Sequence, residues 1–459
     1  MRTRPAVSRI VASSVMAAGC AASLAAEYPG TLVYDSVVQL GEGRAGRYGF
    51  WHPPAMSWLL GLSDRLAPGA AVYMTVQTLV GFGALLLLML VPKRTSWAAV
   101  AAAAVFAFLP QLFLYQGFVI KDVLFADAMI AGFAALAAAA AWWRRRGVRW
   151  TLLAISAAFL ALAALARQNG VLLLPFAALA LAAIAAKNGA AKRKSAALGL
   201  AFLVASGAGA FAATAALSLC HDGTPAAATQ FKILRVYDIT GMIARHPEYR
   251  LTVLDAHAPA LAAAIRSDGV RLYSPAKNDT LEGSVRLATA RNAASQGVVA
   301  AEWRALAAAH PAAWLAQRAE VFAWAFLPAH IAACHPFYVG VQADAGNLAA
   351  LGIEKRFDAR DEALLRYGYV LMPTPAFWHP LYGAVALAAL FFLLVRRRPE
   401  DLAVAGLLAG ALAFVASFFV ISIACDYRYL YALDLGAMAA TLYVLADPNL
   451  TKSPHAGTA

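Results

Sequence analysis

The chain has 459 residues, of which 62% are hydrophobic and only 14% charged, with mean hydropathy +0.64. Soluble domains are nearer half apolar and a quarter charged, so the composition excludes an ordinary soluble fold and points to a multi-pass membrane protein. The formal net charge of +13 does not indicate nucleic acid, because the basic residues fall in short runs beside apolar segments, the pattern that orients membrane helices.

The N-terminus carries Arg2, Arg4 and Arg9 ahead of the apolar stretch Ile10–Ala26. This pattern fits a first transmembrane helix, preferred here over a cleaved signal peptide because many further spans follow. The next stretch, Tyr34–Pro54, reads YDSVVQLGEGRAGRYGFWHPP and is polar. It contains Asp35 and Glu42 and ends at Trp51-His52-Pro53-Pro54, which opens the short amphipathic run Met56–Leu66. Spans are then expected near Ala70–Val91, Trp97–Leu114, Leu124–Trp143, Trp150–Ala166, Val171–Ala186 and Ala196–Leu219, each near the length needed to cross a bilayer.

Basic runs at 93–94, 144–149, 187–194 and 396–398 mark one membrane face as cytoplasmic. The intervening turns, with Asp35, Lys121-Asp122 and Arg167-Gln168-Asn169-Gly170, then share the opposite face. The hydropathy pattern breaks from His221 to Pro311, where helical stretches are expected at Phe231–Ile243 and Ser284–Ala309. Ala312–Phe326 is apolar but interrupted by Arg318 and Glu320, which favours an interfacial helix over a span. A second outer loop covers about 334–373, and spans near Phe377–Val395, Leu402–Ile423 and Leu430–Ala446 complete about ten. Both termini are expected in the cytoplasm of a bacterial inner membrane. The domain division is 1–219, an N-terminal transmembrane module with first outer loop 27–69; 220–373, a mixed outer-face region including the interfacial helix 312–327; and 374–459, C-terminal transmembrane helices and a tail.

The chemistry gathers at the outer rim. Carboxylates at a membrane edge are functional candidates by default, and Asp35, Asp122 and Asp426 converge there with Lys121, Arg167 and Arg428. Taken singly, each acid also reads as a loop acid in water, or as a helix-capping acid in the case of Asp122. Arg167 reads equally as an arginine snorkelling to the headgroups or as a guanidinium placed for a lipid phosphate. Together they suit an anion-handling site, in which carboxylates serve as general base or ligands of a divalent cation such as Mg or Mn while Arg and Lys hold phosphate.

The layout resembles the GT-C superfamily of integral-membrane glycosyltransferases, in particular the branch with the lipid A aminoarabinose transferase and the protein O-mannosyltransferases. The resemblance is carried by Asp35 in the first outer loop, Trp51-His52-Pro53-Pro54-Ala55-Met56, Lys121-Asp122, Ala166-Arg167-Gln168-Asn169-Gly170 and Arg428-Tyr429-Leu430. It implies an all-α polytopic fold and an enzyme that moves a sugar from a polyprenyl-phosphate donor to a lipid, glycan or protein acceptor. It also implies Asp35 as the base, Asp122 as a metal or acceptor ligand, and Arg167 as a phosphate ligand, while Lys121 and Arg428 are expected from their place at the same rim to hold the donor phosphate with it. Tyr34, Glu42, Trp51, His52, Asn169, Asp426 and Tyr429 are expected to line the substrate site. The chain departs from the pattern in lacking a paired Asp-Glu in its first loop and in carrying His52 where the family has a charged residue. The alternatives are a transporter or flippase of lipid-linked sugars, which would favour polar residues at mid-membrane, and a non-catalytic envelope-assembly protein. Of the four cysteines, Cys220 and Cys334 flank the outer region and are expected to pair, with Cys425 as the competing partner.

Overall fold

The computed structural model describes residues 4–49, 51–221, 223 and 226–450. Arg2 and the tail beyond residue 450 lie outside the described residues. The architecture is all-α: only isolated β-bridges accompany the helices among the described residues. Eight helices there are long and apolar enough to cross a membrane: Val7–Glu27, Ala71–Leu90, Lys121–Ala141, Arg146–Ala166, Gln168–Lys187, Lys192–Ser218, His379–Arg396 and Pro399–Ile421. The shorter apolar helix Tyr431–Ala446 packs among them.

The expected span at Trp97–Leu114 is instead broken. Trp97–Ala107 and Pro110–Gly117 meet at 64°. Pro110 stands at the first position of the second piece, and a residue before proline is pushed out of the helical region; Leu109 is extended, with ψ 151°. The fold thus has a bend where hydropathy alone reads a continuous crossing.

Lys121–Ala141 forms the centre, with the apolar window of the helix wholly buried. It packs against Ala71–Leu90, Arg146–Ala166, Pro399–Ile421 and Tyr431–Ala446. Its run of alanines explains this, because small side chains let membrane helices approach closely. At Gly132 a Cβ would meet Leu160 Cγ at 2.7 Å. Lys192–Ser218 and Arg146–Ala166 are mainly exposed on their apolar flanks, as lipid-facing helices should be.

The two ends of the bundle are distinct. At one, Arg9 donates to the carbonyls of Pro92 and Leu90 at 2.7 and 2.8 Å, and Arg398 to Asp447 at 2.7 Å. At the other, the loops are stitched together: Thr31 N–H donates to Gly117 O at 2.9 Å, Leu32 N–H to Gly340 O at 2.9 Å, and Cys425 N–H to Ala276 O at 2.9 Å.

Over this second end lies a helical layer that includes Ala226–Arg245, Thr252–His257, Val285–Ala293, Gln296–Ala309 and Pro311–Phe326. It has its own core around Tyr237, Ile239, Leu254, Ile265 and Val299. The single helical stretch expected over Ser284–Ala309 is two helices, because Ser295 is extended and its hydroxyl caps the second by accepting from Val298 N–H. Pro311–Phe326 is a helix, as expected.

The cysteine pairing differs from the expectation. Cys334 bonds to Cys425, whereas Cys220 is free and exposed and Cys20 is free and buried. The physical reason is the local strand-like contact between 276–278 and 423–425, which carries Cys425 inward beside Cys334, with Ala276 and Trp324 packed around the pair. Cys220 is held elsewhere, its carbonyl accepting from Tyr48 N–H at 3.0 Å.

Candidate functional site

The site is built on the first outer loop. Tyr34–Ala45 is a helix, and Asp35 falls in its first turn, where a negative charge is favoured by the helix dipole. One carboxylate oxygen, Oδ2, accepts from Arg428 Nη1 at 2.7 Å. The other, Oδ1, stands 3.6 Å from His52 Nε2. His52 Nδ1 in turn lies 2.6 Å from Lys121 Nζ. With Lys121 as an ammonium, which has donors only, Nδ1 accepts and the ring proton falls on Nε2, facing Asp35.

The electrostatics follow from burial and neighbours. Burial pushes the Asp35 carboxyl up, but Arg428, aided by Lys121, outweighs it and holds the group at about 2. For His52 burial and the Lys121 charge act in the same direction and lower it to about 3, so the imidazole is neutral at physiological pH. Burial works against the charge on Arg428, but Tyr429, Asp35 and Asp426 more than offset it.

Arg428 is gripped from two sides. Besides Asp35, its Nε and Nη2 contact Asp426 Oδ2 at 3.2 and 3.1 Å. The preceding residue fixes its backbone: the Tyr427 hydroxyl donates to Asp434 at 2.5 Å and accepts from Gln111 at 2.7 Å, and its ring stacks on His379 at 4.2 Å. Asp35 and Arg428 open onto a cavity of about 250 Å³, lined also by Val33, Tyr34, Tyr338 and Gln342.

Behind this wall lies a second pair. Arg167, at the turn after Arg146–Ala166, forms an ion pair with Asp122, in the first turn of Lys121–Ala141. Both are nearly buried. The Arg167 guanidinium also stands over the rings of Phe418 and Tyr429 at 5.3 Å and of Phe414 at 5.6 Å. The turn is pinned by Asn169, whose Nδ2 donates to Ser417 Oγ at 2.8 Å.

The structure therefore brings Asp35, His52, Lys121, Arg428, Asp426 and Tyr429 together, with Arg167 and Asp122 adjoining. Three other expected lining residues have different duties. Glu42 accepts from Gly49 N–H at 3.0 Å and from Ser57 Oγ at 2.7 Å, which closes the loop on itself. Trp51 is exposed on its ring and accepts through its carbonyl from Gln230 at 2.5 Å. Asn169 is the turn pin just described. Tyr338 and Gln342 in the cavity wall, and the buried carboxylate Asp127, were not singled out in the sequence. The first two sit in a loop with no motif. Asp127 is hidden one and a half turns inside an apolar helix, where it accepts from Gln116 at 2.9 Å.

Asp35 and Asp122 are each engaged by an arginine, and no group of three metal-ligating side chains occurs among the described residues.

No family model and no curated protein matches the chain. Among solved structures it matches the Archaeoglobus fulgidus oligosaccharyltransferase with zinc and sulfate, at 15% identity over 94% of this chain and 48% of that one, with TM-score 0.42. It also matches the oligosaccharyltransferase AglB of the same organism with an inhibitory peptide and a dolichol-phosphate, at 16% identity over 94% and 50%, with TM-score 0.40. The chain spans about half the length of these structures. The functional reading below is carried by this chain's own rim residues.

Proposed function

We propose that the protein is a membrane glycosyltransferase that moves a sugar from a polyprenyl-phosphate donor to an acceptor hydroxyl or amine on the outer face of a bacterial inner membrane, with both termini cytoplasmic. The observation that carries this reading is the meeting, at one end of the bundle and beside an open cavity, of the Asp35 carboxylate with Arg428 and, through His52, with Lys121, the Arg167–Asp122 pair adjoining. A carboxylate suits proton removal from an acceptor. Guanidinium and ammonium groups suit a phosphate leaving group, the guanidinium through paired hydrogen bonds.

In this scheme Asp35 deprotonates the acceptor, and Arg428 and Lys121 receive the leaving phosphate. Arg167, buried against Asp122 and the aromatic rings, reinforces the positive field from behind. Neutral His52 holds Lys121 and Asp35 in register between its two ring nitrogens. The acceptor class, whether lipid, glycan or protein, is open to the same experiment that tests the reaction: mass spectrometry of envelope glycolipids and glycans from cells with and without the protein, and with Asp35→Asn. The amide keeps the shape and cannot take the proton, so transfer should fall by about 10²–10⁴-fold. Full activity in Asp35→Asn, with the protein inserted normally, would remove the acid from the chemistry and favour carriage of a lipid-linked sugar instead.

A further inference from the structure

We infer that Arg428 is a counter-ion shared in turn by Asp35 and the donor's phosphate, so that arrival of the anionic lipid frees Asp35 to act as the base. The inference rests on the glycosyl-transfer reading above and concerns the order of events at the same site.

The geometry makes the case first. Arg428 Nη1 and Asp35 Oδ2 are 2.7 Å apart at the cavity wall. We take the transfer to be a single displacement that inverts the anomeric centre, which places the sugar's anomeric carbon between the acceptor atom and the departing phosphate oxygen. In inverting sugar hydrolysis the groups flanking that carbon stand about 6.5–9.5 Å apart. A direct Asp35–Arg428 contact leaves no room for it, so the contact has to open in the reacting complex.

The surroundings let it open without stranding the cation. Asp426 holds Arg428 through its other nitrogens, and Tyr427 is fixed by Asp434, Gln111 and His379. The backbone stays in place, and only the end of the side chain need swing. The groups facing Asp35 are Arg428, His52 and Lys121, with Tyr338 across the cavity; those facing Arg428 are Asp35, Asp426 and Tyr429, with His52, Lys121, Arg167 and Tyr338 close enough to feel its charge.

The chemistry moves one negative charge along the same path. The Asp35 carboxylate takes the proton of the acceptor, and the acceptor atom forms its bond to the anomeric carbon. The bond from that carbon to the phosphate oxygen breaks, and its electron pair stays on the phosphate. Asp35 becomes neutral while the phosphodiester becomes a monoester with one further negative charge. A guanidinium that follows this charge stabilises the transition state more than the ground state. When Asp35 passes its proton to water, the carboxylate reclaims Arg428 and the phosphate is released. Until the donor arrives, Arg428 keeps Asp35 at about 2, too weak a base for catalysis near neutrality.

The test uses the full-length protein and dicyclohexylcarbodiimide, which modifies protonated carboxyl groups, with quantitative mass spectrometry of the Asp35 peptide at mildly acidic pH. The probe is geranylgeranyl monophosphate, with geranylgeraniol and inorganic phosphate as controls. Each unit of pKa gained raises the protonated fraction roughly tenfold, so the lipid phosphate should raise Asp35 modification by at least several-fold, and the controls should not. Arg428→Gln should raise it without lipid and abolish the lipid's effect, while Arg428→Lys should keep Asp35 unreactive until lipid is added. The unfolding temperature of each purified variant reports whether it is folded. Binding of the lipid phosphate with no change at Asp35 would overturn the shared counter-ion and leave the transfer reading standing. Failure of the wild-type protein to bind the lipid phosphate at all would overturn both.

Discussion

Arg318 donates to Asp238 Oδ1 at 2.8 Å, and its other two nitrogens donate to the carbonyls of Phe419 and Ser422 at 2.8 and 2.7 Å. Neither side chain of the pair is measurably exposed beyond 1%. The guanidinium thus joins the outer helical layer to the C-terminal end of Pro399–Ile421, where carbonyls lack helical partners and a cation is favoured. Trp303 satisfies the second Asp238 oxygen at 2.9 Å. Burial pushes the Asp238 carboxyl above its usual range even with Arg318 pulling it down. Arg318→Met should therefore cost about 3–5 kcal/mol, because a buried carboxylate loses its partner. Thermal unfolding of the purified protein measures this, and a wild-type transition in Arg318→Met would mean that the layer is held by its apolar contacts alone.

The Cys334–Cys425 bond closes 91 residues and anchors the segment that carries Asp426 and Arg428. In the chain-entropy account such a loop contributes at most about 4–5 kcal/mol. Peptide mapping without reductant should yield a Cys334–Cys425 cross-linked peptide and a freely alkylated Cys220. The double variant Cys334→Ser/Cys425→Ser should unfold at lower temperature and lose transfer activity more steeply on warming than the wild type. Recovery of a cross-linked Cys220 peptide instead would contradict this arrangement.

His52 gives a pH dependence whose sign can be worked out. Its folded pKa, about 3, lies below the ordinary value of 6.5, so between those values the unfolded chain binds a proton that the folded chain does not. Stability contributed by this site is complete above pH 6.5 and is lost as pH falls, by at most about 1.4 kcal/mol per pH unit. Asp35 is also depressed, but its loss begins only below its ordinary value of 3.8. His52→Gln, which retains an acceptor for Lys121, should flatten the unfolding temperature against pH between 6.5 and 3.8. Parallel curves for the two proteins would show that His52 titrates normally.

Much of this was legible in the sequence because membrane insertion imposes long apolar runs and basic flanks. The common face of Asp35, Lys121, Arg167 and Arg428 follows from counting crossings between those flanks. The bend inside Trp97–Leu114 was not legible, since a hydropathy window cannot see that Leu109 and Pro110 turn the backbone. Side-chain pairing was less accessible. Nothing in the spacing says that Asp122 belongs to Arg167 while Asp35 belongs to Arg428, because both pairs bridge elements distant in the chain. The partner of Cys334 depended on a bridge between Lys277 and Ala424, a contact without a local signature. Glu42 looked like Asp35 as an isolated acid in a polar loop, and only its bonds to Gly49 and Ser57 separate a loop clasp from a site acid.

Arg167 and Asp122 allow structure and function to be separated. Arg167 reads in the sequence either as a snorkelling residue or as a phosphate ligand, and its burial against Asp122 and three aromatic rings adds a structural duty to both. Arg167→Met leaves Asp122 as an unpaired buried carboxylate and should destabilise the protein by about 3–5 kcal/mol. Adding Asp122→Leu removes that charge, and replacing a whole buried ion pair by apolar groups is often neutral, so the double variant should recover most of the unfolding temperature. The cation will still be missing. Binding of geranylgeranyl monophosphate should then stay weakened in the double variant, while Arg167→Lys, which keeps the charge over the rings but not the planar fork, should fall between. The coupling is read from a double-mutant cycle in two quantities, unfolding temperature and lipid affinity. If the double variant regained lipid affinity along with stability, Arg167 would serve the fold alone, and the phosphate would be left to Arg428 and Lys121.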